Sequence, residues 1–146
     1  MKNKGFTLIE LLVVIAILGL LATIVLVSLN SSRAKSRDVK RKADLRQISV
    51  AMQLYFDINN AYPSYAADSC SAAVSGCTGV YPSAISTFIS AMPRDPSNDA
   101  TRYYRVKTST GLNFCVIAAN LENESGAYYA SEKGLGTAAA GTISCP

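Results

Sequence analysis

The first third of the chain divides into an apolar half and an amphipathic half. Residues 6–29 contain a single ionisable residue, Glu10, and the run is 24 residues long. At about 1.5 Å of rise per residue, a helix of this length reaches roughly 36 Å, which is enough to cross a bilayer. We therefore predict an apolar membrane-spanning helix over residues 6–29, preceded by a short segment, residues 1–5, that carries two lysines.

The helical pattern continues beyond the apolar run. Apolar side chains recur at three- and four-residue spacing, and the first proline of the chain is Pro63. Such spacing predicts an amphipathic second half of the same helix, residues 30–60, with one apolar stripe turned toward a folded domain. The members of that stripe are Leu45, Ile48, Met52, Tyr55 and Phe56. On the exposed face, Asp38 with Lys42 and Lys40 with Asp44 have the four-residue spacing of helix ion pairs.

Residues 61–146 are predicted to form a small globular head. Apolar positions at helical spacing predict a short surface helix over residues 82–92, and Pro and Asp then mark a turn over residues 93–99. In that turn, Asp95 and Asp99 are interpreted as turn-forming and capping residues. Residues 103–108, 112–119 and 127–131 read as strands, the first two joined by a turn at residues 109–111. The fold class is therefore α+β, a long helix on a small antiparallel sheet.

Glu10 needs a partner. A carboxylate within hydrocarbon costs roughly 2.5 to 3.5 kcal/mol on insertion scales unless it is neutralised. An ordinary secretory signal peptide or a simple membrane anchor also has a basic start and an apolar run, but this run is long for a signal core and an acid within it is unusual. A covering partner for the apolar helix and a neutralising partner for Glu10 are thus both expected.

The residues Gly5, Phe6, Thr7, Leu8, Ile9 and Glu10 resemble the processing site of type IV prepilins and of type II secretion pseudopilins. The resemblance implies that residues 1–5 are a leader peptide, and that a prepilin peptidase cleaves after Gly5 and methylates Phe6. It also implies that Glu10 pairs with the Phe6 ammonium of a neighbouring subunit during assembly. The implied partners are neighbouring pilin subunits, the prepilin peptidase and methyltransferase, an inner-membrane assembly platform and membrane lipid.

Positive charge is concentrated just after the apolar run. Residues 33–46 carry seven bases and two acids, whereas the whole chain has a net charge of +4. This segment predicts contact with anionic headgroups or with other filament subunits. Nucleic-acid binding is the weaker alternative, because no aromatic residues for base stacking lie between the bases. Counting these bases by the positive-inside rule places the carboxyl side in the cytoplasm, opposite to the orientation that the resemblance implies.

The remaining chemistry is structural. Four cysteines in a small exported head predict two disulfides, and of the three possible connectivities we favour Cys70 with Cys77 and Cys115 with Cys145. Without histidine, and with spacings unlike those of zinc motifs, a metal site is disfavoured, and no cofactor is predicted. The serines and acids form no catalytic arrangement. Pseudopilins of secretion systems bind calcium in a late acidic loop, but the matching residues 132–137 have glycines and no aspartates.

The sequence therefore predicts a non-enzymatic subunit of a type IV pilus-like filament. It would be made as a single-pass precursor in the inner membrane and then assembled into an extracellular or periplasmic filament. Two alternatives remain open at this stage. One is the major pseudopilin of a type II secretion system, and the other, from a different functional class, is a monomeric binding module tethered to the membrane.

Overall fold

The computed structural model describes residues 5–64, 69–70, 84–97, 99, 101–109, 112–118 and 120–139. One long helix, α1 (Leu8–Asn59), is followed by five strands: β1 (Ser69–Cys70), β2 (Tyr104–Ser109), β3 (Asn113–Ala118), β4 (Ala127–Ser131) and β5 (Gly134–Ala138). The strands form one antiparallel sheet in the order β1-β2-β3-β4-β5. This architecture confirms the predicted α+β class.

Both ends of α1 have the caps that terminate helices. Thr7 is the N-cap, and its hydroxyl accepts a hydrogen bond from the Glu10 amide. At the other end, Asn60 adopts the left-handed conformation with φ 52°, and its amide donates to the carbonyl of Phe56. The helix thus ends where asparagine and the following Pro63 predict, and its bounds agree with the prediction to within two residues.

The core lies between the second half of α1 and one face of the sheet. Helix residues of the predicted apolar stripe pack on the inner side chains of β2, β3 and β4. Tyr62 lies between Phe56 and Phe114, with ring centroids 4.7 and 4.8 Å away. The buried members of this core are Leu45, Ile48, Ala51, Met52, Tyr62, Ile85, Ile89, Tyr104, Val106, Phe114, Val116, Ala118 and Ala130.

In the head, one prediction was wrong and one strand was not predicted. In the described part of the predicted helix at residues 82–92, residues 84–88 form a turn in which the Phe88 amide donates to the Ile85 carbonyl, and no helix follows. Ile85 and Ile89 are nevertheless buried, so the apolar spacing indicated which side chains are buried and did not indicate a helix. Conversely, residues 132–137, for which no element was predicted, form the β4–β5 turn and most of β5, which pairs with β4 from Ser131↔Gly134 to Ala127↔Ala138.

The glycine-rich sequence of β5 has a packing reason. Gly136 lies opposite Tyr129 of β4, and a Cβ atom at this position would come within 2.5 Å of the Tyr129 hydroxyl oxygen. The aromatic ring therefore occupies the space that any other side chain would need. A strand with two glycines lacks the β-branched signal by which strands are recognised in a sequence.

Candidate functional site

The apolar half of α1, which we call the stem (residues 8–29), is covered by none of the residues that the structure describes. From Phe6 to Leu29 the large hydrophobic side chains are between 44 and 82% exposed. The helix has the length and composition to cross a membrane, and the side chains of its most apolar 18-residue stretch are not buried. An exposed apolar surface of this size requires a bilayer or other protein chains to cover it.

Glu10 lies in the first turn of the stem and closes a capping box with Thr7. Its Oε2 accepts hydrogen bonds from the Thr7 amide at 2.8 Å and from the Thr7 hydroxyl at 2.7 Å. Phe6 and Glu10 border the same shallow groove, together with Ile9, Val13 and Val14. The Thr-x-x-Glu spacing was visible in the sequence, yet the sequence reasoning assigned Glu10 only an intermolecular partner and missed this local one.

The other two residues of the predicted processing site lie beside Glu10 in the chain. Gly5 and Phe6 precede α1 and are exposed, so the bond between them is accessible. The pairing of Glu10 with a neighbour's Phe6 ammonium involves a second subunit and remains a prediction.

A buried ion-pair cluster joins α1 to the head. We call it the junction cluster, and it consists of Asp38, Arg41, Asp95 and Glu122. Arg41 is fully buried on the helix face that carries the apolar stripe. Its Nε and Nη2 donate to the two carboxylate oxygens of Asp95 at 2.7 and 3.0 Å. Its Nη1 donates to Asp38 at 2.7 Å and to Glu122 at 2.8 Å.

Every donor of this guanidinium is used. The fifth N–H of Arg41 is directed at the Ser97 hydroxyl at 3.3 Å, which completes the donor set of an arginine. A buried charge is tolerated only when it is paired and hydrogen-bonded in this way. Asp95 also accepts from the Ser97 amide at 2.8 Å, so its predicted turn role is confirmed and the ion pair with Arg41 is an addition to it.

Asp38 holds the loop between β3 and β4 against the helix. Its carboxylate accepts from the Glu122 amide at 3.0 and 3.1 Å and from the Asn123 amide at 2.8 Å. Glu122 in turn accepts from Arg37 Nε at 2.8 Å and forms an ion pair with its Nη2. Side chains on two turns of α1 therefore bind the β3–β4 loop through hydrogen bonds and ion pairs.

These contacts correct the sequence interpretation of the basic segment. Asp38 pairs with Arg41 and not with Lys42 as predicted, because it lies on the buried face of α1. Lys42 instead forms an ion pair with Glu124, and its Nζ lies 5.4 Å from the centroid of the Tyr128 ring. Three of the seven bases therefore bind the head, and only the rest are available to outside partners.

The junction cluster lowers the pKa values of Asp38 and Glu122. Burial alone would raise the pKa of Asp38, but hydrogen bonds from the Glu122 and Asn123 amides and from Arg41 outweigh it and lower the pKa. The hydrogen bond from Arg37, with help from Arg41, lowers the pKa of Glu122 from 4.5 to about 2. Near neutral pH both carboxylates are therefore ionised in the folded chain.

Acid should loosen the head by protonating this cluster. Because the folded-state pKa of Glu122 lies below its ordinary value, its stabilising contribution is complete above about pH 4.5 and is lost as the pH falls toward about 2. We expect the free energy of unfolding to fall by on the order of 2 kcal/mol over that window from Glu122 alone. Urea unfolding of the full chain in detergent, followed by tyrosine near-ultraviolet dichroism across this range, measures the loss.

A Glu122→Gln variant is the matched control for the acid effect. It should be less stable than the wild type at neutral pH and should lose less stability on acidification. Asp44, whose pKa is raised chiefly by burial although it accepts a hydrogen bond from the Tyr104 hydroxyl, acts in the opposite direction in both proteins. Parallel pH curves for the two proteins would contradict the assignment to Glu122.

The structure describes the side chain of only one of the four cysteines. Cys115 lies in β3, is buried and is disulfide-bonded. The side chains of Cys70, Cys77 and Cys145 lie outside the described residues, so both pairings remain predictions. Among the residues that the structure describes, no group of three or more acids, cysteines or histidines is placed to hold a metal ion.

Comparison with known proteins supports the resemblance seen in residues 5–10. Residues 1–26 match the model of the prokaryotic N-terminal methylation motif. Similar proteins include the type IV major pilin protein PilA of Myxococcus xanthus, 35% identical over 65 residues, which are 44% of this chain and 30% of that protein. No solved structure matches the chain.

Two further relatives extend the comparison. Type II secretion system core protein G of Pectobacterium carotovorum is 40% identical over 63 residues, which are 43% of this chain and 40% of that protein. The type IV wide pilus major component PilA4 of Thermus thermophilus is 42% identical over 65 residues, 44% of this chain and 50% of that protein. The matches thus span half or less of the length of these relatives. The chain therefore carries the prokaryotic N-terminal methylation motif and is similar, over less than half of its length, to type IV pilins and to type II secretion core protein G.

Proposed function

We propose that this protein is a structural subunit of a type IV pilus-like filament, and that it has no enzymatic activity. The observation that carries the proposal is the unburied stem with its single carboxylate. In the precursor, a bilayer covers the stem. Once the stem leaves the membrane, only packing against the stems of other subunits buries the same surface.

Glu10 determines how neighbouring stems align along their length. Among the residues that the structure describes, its carboxylate has the hydroxyl and amide of Thr7 as hydrogen-bond donors and no cation as a partner. Cleavage after Gly5 creates an ammonium group on Phe6, one turn before Glu10. An ion pair between Glu10 of one subunit and Phe6 of the next neutralises both charges within the apolar bundle and is favourable only in one alignment.

The junction cluster has a mechanical role in this proposal. It fixes the head to α1 from Asp38 onward, so that the heads of assembled subunits take up defined positions on the filament surface. The similarity to pilins of two organisms supports an extracellular filament. The similarity to core protein G of secretion systems supports the second candidate, a periplasmic pseudopilus subunit.

The two candidate functions predict different defects in cells that lack the protein. Deletion should remove surface filaments if the protein is a pilin, whereas it should block export of secreted enzymes if the protein is a pseudopilin. A tethered binding module, the alternative of another class, should produce neither loss and should remain monomeric in the membrane.

Processing is tested by the intact mass and the amino-terminal sequence of protein recovered from native membranes. We expect a chain that begins at N-methyl-Phe6, with four hydrogens gained on reduction if both predicted disulfides form. A Gly5→Val variant, in which a branched side chain stands at the cleaved bond, should keep its leader. A wild-type chain that still begins at Met1, or is cut within the stem, would count against the filament proposal.

A further inference from the structure

A short bare section of α1 separates the stem from the head. Within the described ranges, the first helix side chain that binds the head is that of Arg37, through Glu122. Residues 30–36, which we call the collar, are all exposed except for the half-buried Ala34. Between Leu29, the last residue of the stem, and Arg37 the helix rises by about 12 Å. This gap is wide enough for the headgroup layer of one leaflet.

The collar carries two cations that form no ion pair with the described residues of the head. Arg33 and Lys35 are exposed, and neither forms an ion pair with any residue in the described ranges. Five bases follow the collar on the helix. Arg37, Arg41 and Lys42 form ion pairs with acids of the head, whereas Lys40 and Arg46 are exposed. The bases of the predicted basic segment therefore do not share one partner.

The height of the collar cations along the helix matches the headgroup layer. Arg33 and Lys35 lie about 6 and 9 Å beyond Leu29. Side chains of a helix lean toward its N-terminus, which here is the membrane side. The other exposed bases, Lys40 and Arg46, lie about 17 and 26 Å beyond Leu29. The headgroup layer of one leaflet is about 5 to 7 Å thick, so both bases are farther from its outer edge than the Debye length of about 8 Å at physiological salt.

We propose that Arg33 and Lys35 bind the phosphates of anionic phospholipid headgroups while the subunit is anchored in the membrane. The inference rests on the membrane-anchored precursor proposed above, and it does not require polymerisation. Long basic side chains beside a span favour such contacts. The collar thus holds the precursor at a fixed depth, with the head just above the lipid phosphates.

The test uses the full chain in phosphatidylcholine bilayers with trace spin-labelled phosphatidylglycerol or spin-labelled phosphatidylcholine. Electron paramagnetic resonance gives the relative association of the two lipids with the protein. We expect the anionic lipid to be preferred by roughly threefold to fivefold in the wild type. An Arg33→Gln/Lys35→Gln variant should lose the preference, and molar salt should abolish it in the wild type.

The matched control is Lys40→Gln/Arg46→Gln, which makes the same charge change on the same helix and should keep the preference. Unchanged tyrosine dichroism shows that the head is folded in both variants. Equal loss in the two variants, or no preference in the wild type, would overturn the proposal. Filament formation is scored separately with Glu10→Gln, which should retain the lipid preference whether or not it assembles.

Discussion

Cells that produce the Glu10→Gln variant are expected to lack filaments. The substitution removes the negative charge and keeps the size of the side chain. It also keeps the helix start, because glutamine at this position closes a capping box as glutamate does, and Thr7 remains its partner. Loss of filaments would therefore report loss of the ion pair to the neighbour's Phe6 rather than damage to α1. Electron microscopy of sheared surface fractions, with immunoblots for total protein, makes the measurement.

The expected effect of this variant is large because the unpaired ammonium of Phe6 would stay in an apolar bundle. On insertion scales a lone charge there costs roughly 2.5 to 3.5 kcal/mol per subunit, and the cost recurs at every subunit of a filament. Thr23→Val is a suitable control in the stem. Thr23 donates only to the Leu20 carbonyl of its own helix, so this variant should assemble. Normal filaments from Glu10→Gln would instead favour packing without charge pairing.

The stem was predictable from the sequence because its determinants are local. A run of apolar residues without proline specifies a helix and its exposure together. The caps are equally local, since Thr7 and Asn60 act on neighbours within four residues. The apolar stripe of the second half also located the core correctly, because Leu45, Ile48 and Met52 are fully buried.

The junction cluster was missed because its pairs are distant in the chain. Arg41 meets Asp95 and Glu122 across 54 and 81 residues, and no sequence spacing reveals such contacts. One local signal was available. Asp38 and Arg41 continue the apolar stripe of Leu45, Ile48 and Met52 by three- and four-residue steps, so their position on the helix indicated burial even though their charge suggested exposure.

The errors in the head have a related cause. The spacing of Ile85, Phe88 and Ile89 describes which side chains face the core, and a turn satisfies that spacing as well as a helix does. In β5 a strand forms where its own sequence does not indicate one. Glycine weakens the preference of the segment for a strand, and pairing with β4 stabilises the strand instead. Short elements of a small head are thus set by tertiary contacts more than by their own sequences.

Replacing Arg41 with methionine is expected to destabilise the head by roughly 3 to 5 kcal/mol. The new side chain fills similar space but leaves the carboxylates of Asp38 and Asp95, both buried, without their cation. Since domains of this kind are stable by about 5 to 15 kcal/mol in total, much of the folded population would be lost. Urea unfolding of the full chain in detergent, followed by tyrosine near-ultraviolet dichroism, gives the free energy.

Two further variants distinguish the cost of leaving buried carboxylates unpaired from the cost of removing any positive charge from α1. Arg46→Met removes the same group from an exposed position of α1 and should change stability by no more than about 0.5 kcal/mol. Adding Asp95→Asn to Arg41→Met should recover part of the loss, because it removes one uncompensated buried charge. A cost for Arg41→Met no larger than that of Arg46→Met would mean that core packing alone holds the head to α1. The expected recovery in the double variant would instead show that the charge balance of the junction cluster decides how firmly the head is attached.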